Sequence, residues 1–121
     1  MTITPIDPQP GAYAMGARVD GPTRWLFVSG QVPEDASGVP AEFADQARLA
    51  WRNVLAVLER GGMAVTDLAK VTIFLADRRY RAENARIRKE VLGEHAPALT
   101  IIIAGIWDES WLLEIEAVAA A

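Results

Sequence analysis

Two stretches near the C-terminus, ALTIIIAGI (residues 98–106) and WLLEIEAVAA (residues 111–120), are apolar at nearly every position. Their length, and the turn-forming WDES between them (107–110), predict strands over 98–106 and 111–119. Strands apolar on both sides are normally covered on both sides. The rest of the chain must therefore supply layers above and below them.

It supplies only one. From about residue 41 to residue 60, Phe43, Ala47, Ala50, Val54 and Val57 recur at helical spacing, and Gly61-Gly62 ends the run. A second helix is expected over about 79–92, with a buried stripe of Tyr80, Asn84, Ile87 and Val91 and Gly93 as its stop. Strands are expected at 12–19, 23–30 and 68–76, and the proline-rich start reads as an extended arm or edge strand. The order is β-β-α-β-α-β-β. Two helices with one apolar stripe each can cover one face of a sheet. The simplest cover for the other face is a second copy of the chain.

A length of 121 residues suggests one domain, residues 1–121, and 51% hydrophobic residues suffice for a core without staples. With no cysteine there is no disulfide framework, thiol nucleophile or thiolate metal site, which fits a cytoplasmic protein. His95 is the sole histidine, so a histidine-rich metal site is excluded. A net charge of −4 with no basic stripe argues against nucleic acid as a partner. MTITPIDPQP lacks the pattern of a signal peptide, and no apolar run reaches the ~20 residues that span a membrane.

The chemistry-bearing candidates are few. Glu114 and Glu116 share one face of the last strand, opposite Leu113, Ile115 and Ala117, which should meet the helices. A buried carboxylate is unfavourable by several kcal/mol unless partnered. The pair is thus either a solvated or intersubunit salt-bridging edge, or a chemical site. Asn84 on an apolar stripe is either a satisfied structural amide or a ligand contact. Ser29-Gly30 ends a strand as a turn or as a pair of free amides, and Tyr13 is core or pocket wall. His95, after a helix C-terminus, reads as structural. Trp107 and Trp111 flank a turn and suit a pocket wall or an interface.

LFVSGQVP (26–33), QARLAWRNVLAVLERGGMAVTDLAKVTIFLAD (46–77), Asn84, GEHAPALT (93–100) and LEIEAVA (113–119) together resemble the Rid family, also called RidA or YjgF, of reactive-intermediate enamine/imine deaminases. The resemblance covers nearly the whole chain in order. It implies an α+β fold: a chorismate-mutase-like mixed sheet of about six strands with two helices on one face. It also implies a homotrimer with a central barrel and small-molecule sites in clefts between subunits. Family members hydrolyse 2-enamine or 2-imino acids to 2-keto acids and ammonia with no cofactor and no metal. Carried over by matching motifs, Glu114 would position the attacking water. Tyr13, Ser29, Gly30 and Asn84 would bind the substrate, and Glu116 would be structural.

One position departs from the family. Deaminating members carry an arginine after the Pro-Ala pair, where it grips the substrate carboxylate; here that pair is followed by Leu99. Two lost charge-assisted hydrogen bonds amount to roughly 3–6 kcal/mol, or about 10²–10⁴ in affinity. The expected consequence is a ligand that does not rely on an α-carboxylate grip, in a more apolar pocket lined by Leu99 and Ile101, or a non-catalytic small-molecule-binding trimer. Arg18, Arg24 and Arg86 are the substitutes considered from sequence.

Overall fold

The computed structural model describes residues 2–121. Six strands form one sheet: β1 (Thr2–Gln9), β2 (Tyr13–Asp20), β3 (Trp25–Gln31), β4 (Leu68–Leu75), β5 (Ala98–Ile103) and β6 (Leu113–Ala120). Helix α1 (Phe43–Arg60) links β3 to β4, and α2 (Arg81–Leu92), preceded by a 3₁₀ turn at Arg78–Tyr80, links β4 to β5. The strand order is β1-β2-β5-β4-β6-β3. β5 runs parallel to both its neighbours, and the other pairings are antiparallel. This is the mixed α+β sheet expected from the family resemblance.

Local chemistry explains the edges. The N-terminal segment is an outer strand, where Pro5 and Pro8 do no damage because one side of the ladder is unpaired. It returns through a tight turn in which Gly11 adopts φ +99°, a conformation that favours glycine. The apolar run 98–106 stops being a strand at Ile103 because its neighbour ends there: Leu75 is the last partner of both Ile103 and Leu113. Without a ladder, residues 104–112 turn back instead.

The helices cover one face. Phe43, Ala47, Ala50 and Val54 are buried as their spacing predicts, and Leu58 takes the place expected for Val57, which is half-buried. On α2, Asn84 and Ile87 are buried as expected. Arg88 and Leu92 are buried, whereas Tyr80 and Val91 are only half-buried. The stripe is rotated because Arg88, a residue normally assigned to solvent, is drawn inward by a backbone carbonyl described below. Tyr80 is held at the margin by stacking on Phe43, with ring centroids 4.5 Å apart. Opposite the helices lie Val71, Ile73 and Leu75 of β4 and Leu113, Ile115 and Ala117 of β6, all buried. Each large aliphatic among them contributes roughly 1.5–3 kcal/mol.

The other face has no cover within the chain. Phe27 is 73% exposed and Ile102 44% exposed, both large and apolar. Among the described residues, no helix is long and apolar enough to cross a membrane.

Candidate active site

Strand register decides which candidates can meet. Residues paired across neighbouring strands share a face. Val71 pairs with Leu99 and with Ala117, and Ile73 pairs with Ile101 and with Ile115, so Leu99 and Ile101 point to the helix side. Phe74 pairs with Ile102 and with Glu114, and Thr72 pairs with Glu116, so both glutamates point to the open face. Glu114 and Leu99 therefore stand on opposite faces of the same sheet. No single chain brings the acid beside the aliphatic residue.

The open-face group centres on Glu114. The β3–β6 register shifts between Val28 and Gln31, so Ser29 and Gly30 sit in a β-bulge. Bulges free backbone groups from the ladder and gather near active sites. The Glu114 carboxylate lies directly over Gly30: a Cβ added there would run into it. A larger residue at position 30 would thus push the Glu114 side chain aside, although the backbone conformation there does not call for glycine. Beside the carboxylate is a cleft of about 340 Å³ bounded by Phe74, Trp107, Glu114 and Glu116. Trp107 is 93% exposed and projects from the 104–112 turn, while Trp111 is half-buried.

The helix-side group lies between α2 and β5. One cleft, about 370 Å³, is lined by Tyr13, Leu99 and Ile101 together with Arg81, Ala85 and Arg88 of α2. A second of similar size shares Arg81 and Ile101 and adds Asn84, Ile103, Leu75 and Arg78. Asn84 is buried, yet neither its amide nitrogen nor its oxygen has a protein partner. An amide in that state is set up to receive a ligand or water. Tyr13 is thus cleft wall rather than core.

Arg88 lines this cleft and is not among the residues singled out from the sequence. It is 4% exposed. Its Nε and Nη2 donate to the Gly11 carbonyl at 3.2 and 3.0 Å, and its guanidinium lies 5.8 Å from the centre of the Tyr13 ring. Nη1 has no protein partner. Burial holds its pKa below the ordinary value, an effect that the nearby Tyr13 offsets in part. The signal available in sequence was its place one turn after Asn84; its charge masked it. The three arginines considered as substitutes do not line the Leu99 cleft. Arg18 pairs with Asp20 at 2.9 Å, Arg86 with Glu83 at 3.8 Å, and Arg24 lies near Gly62.

His95 has a structural bond, its Nε2 2.7 Å from the Leu68 carbonyl oxygen. Among the described residues, no group of three or more acidic, histidine or cysteine side chains is arranged to hold a metal ion.

The sequence pattern of the endoribonuclease L-PSP family matches residues 8–121. This chain belongs to that family, the Rid or YjgF family. A RutC family protein of Pyrococcus horikoshii is 32% identical to it over 93% of this chain and 90% of its own length. TdcF of Escherichia coli, by name a candidate reactive intermediate deaminase, is 32% identical over 94% of each chain. The solved structure of TdcF with bound serine superposes with a TM-score of 0.76, covering 98% of this Rid chain and 93% of TdcF. The Rid-family protein YyfB of Yersinia pestis superposes with a TM-score of 0.86 over 100% of both chains at 21% identity, a likeness of fold alone.

Proposed function

We propose that this Rid-family protein hydrolyses a reactive enamine or imine to a carbonyl compound and ammonia, without a substrate grip at position 99, in a cleft between subunits of a homotrimer. The observation that carries this reading is the Glu114 carboxylate laid over the Ser29-Gly30 bulge beside an open cleft. An enamine first tautomerises to the imine. Water then adds to the imine carbon while Glu114 takes a proton from it. The same carboxyl group delivers that proton to the nitrogen, giving a carbinolamine. The carboxylate then takes the proton of the new hydroxyl and passes it to the amino nitrogen, the C–N bond breaks as the C=O bond forms, and ammonia leaves. One carboxylate held beside the reacting carbon can serve both steps. Ser29 and Gly30 would hold the substrate, and Tyr13 and Asn84 would shape the cleft.

Two facts support a site built from two copies. The acid and the Tyr13–Asn84 cleft lie on opposite faces of one sheet, and the open face exposes Phe27 and Ile102. A neighbour that covers this face would bring its own helix-side cleft to Glu114. The expected test is complementation. Glu114→Ala and Asn84→Ala chains, each inactive alone, should regain imine hydrolysis when assembled together. Every mixed ring then contains one junction with both halves intact. Mixed trimers without activity, or a monomer by native mass spectrometry, would overturn the two-chain cleft.

The second reading is a non-catalytic, small-molecule-binding trimer of the same fold, and Leu99 is the observation that favours it. It predicts ligand-induced thermal stabilisation with no product from any imine tested. RNA cleavage, which the family's name raises, is disfavoured by the net charge of −4.

Leu99→Arg should raise kcat/KM for 2-imino acids by about 10²-fold or more, since two charge-assisted hydrogen bonds are gained. A correctly assembled variant with unchanged kinetics in an assay that generates imines from amino acids would show that a guanidinium at position 99 adds no grip on the substrate.

A further inference from the structure

In a chain of net charge −4, the two clefts between α2 and β5 are lined by three arginines and by no carboxylate. Arg81 borders both clefts, Arg88 the first and Arg78 the second. Arg18, Arg48, Arg79 and Arg86 each lie within 4.0 Å of an Asp or Glu oxygen. Among the described residues Arg78, Arg81 and Arg88 have no such partner, and neither do Arg24, Arg52 and Arg60 elsewhere, but of these six only Arg88 is buried. Arg88 is the extreme case, with one neutral carbonyl as acceptor and Nη1 unanswered at 4% exposure. A buried cation with spare donors is unfavourable until something negative meets it.

The wall facing these arginines is aliphatic: Leu99 and Ile101. A ligand that satisfies both walls is a small molecule with a carbon chain and an anionic end. A carboxylate suits the guanidinium fork better than a tetrahedral anion, because its two oxygens are coplanar with the donors.

We propose that Arg88 and Arg81 form a carboxylate-binding subsite beside Leu99, so that the substrate anion is gripped from helix α2 instead of from strand β5. The inference rests on the hydrolase reading of this cleft and adds the residues that hold the substrate's anionic end. The Gly11 carbonyl and the Tyr13 ring then have a positioning role: they fix the guanidinium at the cleft wall.

The test is binding, independent of turnover. Titration of the assembled Glu114→Gln protein with pyruvate and with its neutral isostere pyruvamide should give pyruvate a lead of roughly 10–100-fold in Kd. Arg88→Met and Arg81→Gln should each cut that lead by about tenfold, with Arg88→Lys restoring part of it. A merely structural Arg88 would change the melting temperature without changing the charge discrimination. Equal binding of the two probes, or a lead untouched by both substitutions, would overturn the subsite. Inorganic phosphate binding as tightly as pyruvate would overturn its assignment to carboxylates. Should Arg88→Met fail to fold, the exposed Arg81→Gln alone decides. A pyruvate lead in a protein that hydrolyses no imine would keep the subsite and sink the hydrolase. Imine turnover indifferent to substrate charge would do the reverse.

Discussion

Glu114→Gln is expected to lower imine hydrolysis by about 10²–10⁴-fold, the range that a positioned acid–base group contributes. Glutamine keeps the shape of the side chain and its place over Gly30 but can neither accept a proton from water nor return it to nitrogen. Stability should hardly change, because Glu114 is half-buried and its neighbours Leu113 and Ile115 carry the packing. The measurement is kcat with a series of imines generated in situ, next to native mass and thermal unfolding of the same preparation. Turnover within threefold of the parent in a correctly assembled variant would remove Glu114 from the mechanism.

A second large effect concerns stability and lies far from the reacting groups in sequence. Gln46 is 2% exposed in the first turns of α1. Its Nε2 donates to the carbonyls of Pro40 and Ser110 at 2.8 and 2.9 Å, and its Oε1 accepts from the Leu112 amide at 2.8 Å. One side chain thus ties the loop entering α1 to the turn that launches β6 and Glu114. Gln46→Leu would strand three backbone groups. At about 1 kcal/mol or more for each, the loss is roughly 3 kcal/mol, or a Tm lower by roughly 10–15 °C. A fall of under about 3 °C by calorimetry would mean that the 110–112 turn does not depend on Gln46. The Gln46 tie also explains why the 104–112 segment, which has no ladder of its own, holds a defined course.

Much of this was legible before any coordinates. The fivefold stripe on α1 located the helix and most of its buried face. The Pro-rich start was legible as an edge because proline cannot serve an inner strand. The alternation of Glu114 and Glu116 with Leu113, Ile115 and Ala117 was legible because strand side chains have a period of two. Arg88 was not legible. Its burial depends on a carbonyl 77 residues away, exposed by the left-handed turn at Gly11. A charged residue in a helix offers no local sign of such a partner. The separation of Glu114 from Leu99 was equally hidden. Both belong to strands of known period, but the face each presents depends on pairing through β4.

What the chain determined by itself was the kind and order of its elements and its family, because periodicity, turn chemistry and motif order are carried by near neighbours. What only the tertiary structure decided was the company each side chain keeps: which face bears the acid, which arginines border the cleft, and that one sheet divides the candidate site in two. Those follow from register and packing between segments far apart in sequence, where a shift of one residue sends a side chain to the opposite face.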